Sequence, residues 1–268
     1  MNINQKLGLA ARLLTRNPSE LWERGITFLQ GRWDAARPKP ADQTPITFEE
    51  LLEQLHHRMA IPSLSYYTEE IAQIERDMQP GLKHNAEHGP FQTSHNADFA
   101  LAQSCYLLCR IMKPKAVVET GVAYGVTSTF ILHALASDGC GRLWSVDLPP
   151  LAQGADDYVG RLVPQKLRDR WTLVRGSVQR VLPGVLTASD KIDIFIHDSL
   201  HTYAHMMFEF SKAWPILRAG GILIADDVEG NRAFEDFALR VNPSYSAVVR
   251  ERDKQGSFGL MLKSASAE

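Results

Sequence analysis

The sequence predicts an α/β fold in which a doubly wound, Rossmann-like, mostly parallel sheet follows a helical N-terminal segment. Five apolar strand-like runs alternate with helical stretches between residues 116 and 227, and two further runs follow closely at 246–252 and 257–263. Strands separated by helices favour parallel pairing, whereas two adjacent strands favour an antiparallel hairpin. A chain of 268 residues is long enough for one large domain and a smaller helical part.

The first 30 residues are predicted to form two helices, broken at 17–20, where Pro18 suits the first helical position. The first of these helices is basic and amphipathic. It is predicted to pack against the protein or to face a partner, which leaves a homo-oligomer as one expectation.

Two more helices are predicted before the sheet begins. Thr47 and Glu50 have the spacing of a capping box ahead of a helix at 48–59, and another helix is predicted at 68–78. The polar segment 79–96 is predicted to be a loop over the substrate, because long loops in compact domains tend to be lids or binding loops.

The alternating region supplies the core of the predicted sheet. The predicted strands are 116–120, 143–147, 172–176, 191–198 and 221–227. The predicted helices are 97–112, 126–137, 160–169, 178–186 and 203–218. Open α/β sheets bind their ligands at the carboxyl ends of the strands, so the site is expected at that edge.

The composition excludes several classes of partner. The net charge of −2 gives no reason to expect nucleic acid or a membrane surface, and there is no apolar run of about 18 residues that could span a bilayer. Cys105, Cys109 and Cys140 match neither a disulfide framework nor a zinc site. No secretory signal pattern is recognised, and a cytoplasmic location is expected.

The turn after the first predicted strand, 117-VVETGVAYG-125, indicates a cofactor site. Gly121 and Gly125 allow the backbone to approach a ligand closely. Their spacing is not that of a dinucleotide fingerprint, and no Walker lysine follows. Glu119, just before the turn, would repel a pyrophosphate but suits a cationic or amino-bearing ligand.

This turn resembles the first motif of the class I S-adenosylmethionine-dependent methyltransferases. The resemblance implies S-adenosylmethionine as cofactor, with Asp147 on the ribose hydroxyls and Ser177 near the adenine. A carboxylate suits the ribose because it can accept two hydroxyl hydrogen bonds at once. The predicted cofactor-binding residues are Glu119, Gly121, Tyr124, Gly125, Ser128, Asp147, Ser177 and His197.

Acids end the fourth and fifth predicted strands. Asp198 ends one strand, and Asp226 and Asp227 end the next, so the three carboxylates should converge beside the first strand. They would repel one another and resist ionisation unless a cation were present. Oxygen ligands of this kind suit Mg²⁺. The alternative interpretation is that these acids are solvated strand ends.

The spacing of these acids resembles that of the Mg²⁺-dependent O-methyltransferases. The catechol type has an acid–Asn pair where this chain has Asp226–Asp227, and the macrocin, mycinamicin and novobiocin sugar O-methyltransferases are more similar. The resemblance, which covers residues of about 90–263, implies that Asp198, Asp226 and Asp227 bind the metal. It also implies that His201, three residues after Asp198, is the general base. The usual Asp-Gly-x-His form is replaced here by 198-DSLH-201.

These resemblances imply an S-adenosylmethionine-dependent O-methyltransferase that requires Mg²⁺. Its acceptor would be a small, glycosylated molecule with a sugar hydroxyl or vicinal diol, in a natural product or glycan. Residues 1–90 would be a helical lid or oligomer contact, and residues 91–268 the methyltransferase domain. Two alternatives remain open: a metal-independent or catechol/phenol O-methyltransferase, and a non-catalytic S-adenosylmethionine-binding partner protein.

Overall fold

The computed structural model describes Gly8, Leu14 and residues 18–34, 39–40, 44–59, 65–92, 95–187 and 190–265. Seven strands in this part of the chain form one sheet in the order β3-β2-β1-β4-β5-β7-β6. They are β1 (Ala116–Thr120), β2 (Arg142–Asp147), β3 (Trp171–Arg175), β4 (Ile192–His197), β5 (Leu217–Ala225), β6 (Tyr245–Arg250) and β7 (Ser257–Leu262). The predicted α/β fold is confirmed.

The register of the sheet places the turns that follow the parallel strands and the turn between β6 and β7 at the same edge. Strands β1 to β5 are parallel to one another, so their carboxyl ends lie together. Strand β7 is antiparallel to β5, with Ala225 paired to Gly259, and β6 is antiparallel to β7. The β6–β7 turn, residues 251–256, therefore returns to the edge at which the parallel strands end.

Helices cover both faces of the sheet. They are α1 (Pro18–Asp34), α2 (Phe48–Met59), α3 (Ser65–His88), α4 (Phe99–Met112), α5 (Val126–Ser137), α6 (Ala155–Tyr158), α7 (Val178–Leu186), α8 (Tyr203–Ile216) and α9 (Ala233–Val241). Two large buried apolar clusters separate these helices from the sheet, and Cys105 and Cys109 belong to one of them. None of the helices in the described part of the chain is long and apolar enough to cross a membrane.

The predicted capping box is confirmed. The Thr47 hydroxyl accepts a hydrogen bond from the Glu50 N–H at 3.1 Å, and the Glu50 carboxylate accepts one from the Thr47 N–H at 2.7 Å. The second predicted N-terminal helix is α1, which begins at Pro18. The first lies outside the described residues except at Gly8 and Leu14.

Two predicted segments are corrected. The loop predicted at 79–96 is helical as far as His88, and past Pro80 this helix packs Leu82 against the core and buries Asn85. The helix predicted at 160–169 is replaced by the short helix α6 and a 3₁₀ helix at Gln165–Arg170. Pro164 lies directly before the 3₁₀ helix and, having no N–H, cannot continue a longer one. The domain boundary near residue 90 stays a prediction.

Candidate active site

A cavity of about 610 Å³ opens at the carboxyl edge of the sheet. It is lined by the turns that follow the five parallel strands, at 121–123, 147–150, 177–179, 198–202 and 226–227. Helix α1 covers another side, together with Phe91 and His95 from the segment after α3 and Lys254 from the β6–β7 turn. The site therefore lies where open α/β sheets bind ligands.

Gly121 and Asp147 shape the cofactor side of this cavity. Gly121 has a φ of 80°, and a Cβ at this position would lie 1.7 Å from the backbone oxygen of Asp198, so only glycine fits. One carboxylate oxygen of Asp147 accepts hydrogen bonds from the N–H groups of Val122 at 2.7 Å and Ala123 at 3.0 Å. These bonds hold the turn and the acid together at the cavity wall, where Ser177 also lies.

Four predicted cofactor contacts have fully buried side chains that do not line the cavity. Glu119 accepts hydrogen bonds from the hydroxyls of Ser128 at 2.6 Å and Ser145 at 2.7 Å. The hydroxyl of Tyr124 bonds to the backbone of Asn85 and Phe91. The four residues are Glu119, Tyr124, Ser128 and His197. In the structure these side chains support the wall from behind, and the cofactor contacts predicted for them stay predictions.

Gly125 also lies behind the wall. It has a φ of 91°, and a Cβ there would lie 2.9 Å from the Cα of Gly160. Glycine is required at position 125 because the backbone there packs closely against the backbone of Gly160. The cofactor contact predicted for Gly125 likewise stays a prediction.

The predicted catalytic residues also line this cavity. His201 Nδ1 lies 2.6 Å from a carboxylate oxygen of Asp227, and His201 Nε2 lies 3.8 Å from one of Asp198. Burial lowers the pKa of His201, but the hydrogen bond to Asp227 and the charge of Asp226 outweigh it and raise the pKa overall. The same hydrogen bond lowers the pKa of Asp227.

Asp226 is 1% exposed, and one of its carboxylate oxygens has no hydrogen-bond partner. Burial, reinforced by repulsion from Asp198, raises the pKa of Asp226 well above its usual value. Burial likewise raises the pKa of Asp198. For both acids, burial disfavours the ionised form more than the nearby charges of Lys254 and, for Asp226, of His201 favour it.

The three predicted metal acids are divided between two sets in the structure. In each set, every residue offers a ligand atom within 4.8 Å of the others: Asp198, His201 and Asp226 form one set, and Asp226, Asp227 and Glu251 the other. Asp226 belongs to both. That Asp198, Asp226 and Asp227 bind one metal ion stays a prediction.

Glu251 was missed by the sequence analysis. It comes from the β6–β7 turn, and burial, followed by the charge of Asp226, raises its pKa to about 8. In the sequence it stands within 250-RERDKQG-256, which has the composition of an ordinary solvated turn. Only the antiparallel pairing of β7 with β5 indicates that this turn reaches the site.

A second acid that was missed, Glu209 in α8, organises the turn after β4 from beneath. Its carboxylate accepts hydrogen bonds from Thr120, from Ser199 at 2.5 Å and from His197 Nδ1 at 2.9 Å, and it lies 3.0 Å from His205 Nε2. Burial raises the pKa of Glu209, but His197 and the other donors outweigh it and hold that pKa well below its usual value.

Helix α1 is fastened over the cofactor side of the cavity. Glu20 is buried and pairs with Arg24 at 2.9 Å and with Arg175, at the end of β3, at 3.0 Å. Arg24 also donates to the backbone oxygen of Pro149 at 2.7 Å. Since the neighbouring Glu23 and Thr27 line the cavity, α1 restricts access to it.

The comparisons with known proteins agree with this geometry. Residues 118–228 match the family model described as a methyltransferase domain. A search of curated proteins found no match.

Solved structures share the fold. The O-methyltransferase TomG from Streptomyces achromogenes, involved in tomaymycin synthesis and solved with S-adenosylmethionine, is 15% identical, with a TM-score of 0.55 over 76% of this chain and 100% of that one. The O-methyltransferase from Bacillus cereus, solved with S-adenosylhomocysteine, is 18% identical, with a TM-score of 0.53 over 81% of this chain and 100% of that one. This chain therefore shares the fold of these two O-methyltransferases, and its residues 118–228 match a methyltransferase domain.

Proposed function

We propose that this protein is a Mg²⁺-dependent O-methyltransferase that transfers the methyl group of S-adenosylmethionine to one hydroxyl of a vicinal diol. The acceptor is a sugar of a glycosylated natural product or glycan. The observation that carries the proposal is that His201, Asp198, Asp226 and Asp227 converge in the cavity that Gly121 and Asp147 also line.

The cofactor lies over Gly121, with its ribose toward Asp147. One Asp147 oxygen is engaged by two backbone N–H groups, and the other remains available to ribose hydroxyls. The similar TomG and Bacillus cereus structures were solved with S-adenosylmethionine and S-adenosylhomocysteine. Both similar structures therefore support S-adenosylmethionine as the cofactor.

The acids fit a divalent cation. Buried carboxylates are stable as ions only when they are paired or bound to a metal, and Asp226 has an oxygen with neither. Carboxylate oxygens are the ligands that Mg²⁺ prefers. When bound, the cation would supply positive charge that fixes two neighbouring hydroxyls and lowers the pKa of one.

His201 is the base in this proposal. Its Nδ1 faces Asp227, which sets the tautomer with the proton on Nδ1 and leaves Nε2 as the acceptor. In the transfer, the carbon–sulfur bond of the cofactor breaks, a carbon–oxygen bond forms, and the sulfur keeps the electron pair. The hydroxyl proton passes to Nε2 of His201.

A sugar acceptor is favoured over a catechol by the character of the cavity wall. Among the lining residues of the described chain, Phe91 is the only Phe, Tyr or Trp. Aromatic rings stack favourably on other aromatic side chains, and this wall offers one such side chain for a flat acceptor.

The test is a pair of calorimetric titrations on metal-stripped protein: S-adenosylhomocysteine first, then Mg²⁺ into that complex, for wild type and Asp226→Ala. We expect both to bind the nucleoside and only wild type to bind Mg²⁺. Binding of the nucleoside without Mg²⁺, and turnover that survives chelation, would favour the metal-independent alternative. Cofactor binding without turnover on any sugar, polyol or phenol would favour the non-catalytic alternative.

A further inference from the structure

Glu251 is a buried acid whose carboxylate has no hydrogen-bond partner. It is 4% exposed, and neither of its carboxylate oxygens has a hydrogen-bond partner. A buried polar group without a partner destabilises the fold by the full cost of removing it from water, and charged groups cost most. Asp226, its neighbour, has one such oxygen.

Glu251 and Asp226 lie together with a third acid, Asp227. Asp226, Asp227 and Glu251 each offer an oxygen within 4.8 Å of the other two. Gly256 borders the same space, because a Cβ there would lie 2.3 Å from a Glu251 oxygen and 3.4 Å from an Asp227 oxygen. The missing side chain at this position leaves room for the carboxylates.

The turn that carries Glu251 is held by hydrogen bonds at both ends. The Glu251 N–H donates to Gly256 O at 3.0 Å, which closes the turn. The carboxylate of Asp98 accepts from the N–H groups of Arg252 at 3.0 Å and Asp253 at 2.7 Å. The Glu251 carboxylate is therefore positioned by the backbone before any ligand arrives.

We propose that Glu251 is a cation ligand and that, with Asp226 and Asp227, it forms a three-carboxylate site for a hard divalent cation. This inference rests on the proposed function, because it names a ligand of the cation invoked there. Three carboxylates leave coordination positions for water or acceptor oxygens. The arrangement also leaves Nε2 of His201 free to take a proton. The rival explanation is that Lys254, which lines the cavity, neutralises these acids without a cation.

The test is a titration of Mn²⁺ into the full chain bound to S-adenosylhomocysteine, followed by the electron paramagnetic resonance signal of free Mn²⁺. We expect Glu251→Gln to weaken Mn²⁺ binding by more than about tenfold, since outer-shell partners alone change metal affinity by roughly 10- to 100-fold. Asp253→Asn is the matched control, because it removes one negative charge from the same turn while its carboxylate faces Arg252. It should change the affinity less than threefold.

Gly256→Ala is the second variant. It keeps every charge but places a methyl group against the Glu251 carboxylate, so it should also weaken Mn²⁺ binding. The affinity for S-adenosylhomocysteine and the circular dichroism spectrum report whether each variant is folded.

The outcomes separate the two proposals. Equal Mn²⁺ affinity in wild type and Glu251→Gln overturns the role of Glu251 and leaves the proposed function in place. An equal loss in Glu251→Gln and Asp253→Asn also overturns it, because net charge alone would then explain the effect. Wild type that binds S-adenosylhomocysteine but not Mn²⁺ removes the cation from the proposed function itself.

Discussion

Two groups of buried acids lie close to the turn after β4, and they differ in their hydrogen-bond partners and in the direction of their pKa shifts. Glu209, beneath the turn, receives hydrogen bonds from Thr120, His197 and Ser199, and its pKa is lowered. Asp226 and Glu251, above the turn, have oxygens without donors, and their pKa values are raised.

The difference shows that burial is not what leaves the upper acids unsatisfied. Hydroxyl and imidazole groups donate hydrogen bonds to the carboxylate of Glu209, whereas one oxygen of Asp226 and both oxygens of Glu251 receive no hydrogen bond. A satisfied acid stabilises a loop, whereas unsatisfied acids that converge on a cavity are suited to bind a cation. We therefore assign the Glu209 network to support and the upper acids to function.

The largest effect is expected at His201, on the functional side of the comparison. His201→Ala should lower kcat/KM by roughly 10²- to 10⁴-fold, the usual contribution of a positioned base. The binding of S-adenosylhomocysteine should be unchanged, because His201 faces Asp227 and not the cofactor turn. A variant that keeps more than a tenth of the wild-type activity would exclude His201 as the base.

Glu209→Gln tests the supporting side. The amide cannot accept from every donor that meets the carboxylate, so we expect a loss of about 3–5 kcal/mol in the free energy of unfolding, as when a buried charged network is broken. Urea unfolding of the metal-free protein measures it. A fully stable variant that has lost only activity would place Glu209 with the functional acids.

Glu119 tests whether two hydroxyl donors compensate a buried acid completely. Burial raises its pKa to about 7, although the hydrogen bonds from Ser128 and Ser145 oppose the shift. Because this pKa is higher in the folded than in the unfolded chain, the folded protein retains the proton and loses stability as the pH rises from about 4.5 to 7.

The loss assigned to Glu119 is on the order of 3 kcal/mol over this range. Glu119→Gln should remove it, so the difference between variant and wild type in the free energy of unfolding should grow from pH 5 to pH 8. A difference that does not change with pH would mean that the two serines satisfy the carboxylate fully.

The smallest change is expected for Asp226→Asn in metal-free protein. Replacing a buried acid that is repelled by neighbouring acids should leave the free energy of unfolding within about 1 kcal/mol of wild type, or raise it. Mg²⁺ at 100 times its dissociation constant should stabilise wild type by about 2.7 kcal/mol and the variant hardly at all. A large loss in the free energy of unfolding without metal would mean that Asp226, like Glu209, stabilises the fold.

The sequence by itself determined the elements that local pattern and topology control. Alternating apolar runs indicated the parallel strands, and the rule that ligands bind at their carboxyl ends brought Asp147, Asp198 and Asp226 to one cavity. Gly121 was also identified, because a turn after a strand that must approach a ligand closely favours glycine.

Only the tertiary structure decided which side chains face the cavity. Glu119 and His197 stand next to strand ends like the functional acids, but neighbouring strand residues point to opposite faces, and both are turned into the core. Glu209 lies in a helix, and its donors come from β1, from β4 and from the turn after β4. Glu251 reaches Asp226 only through the antiparallel register of β7 on β5, a long-range pairing that the local sequence does not encode.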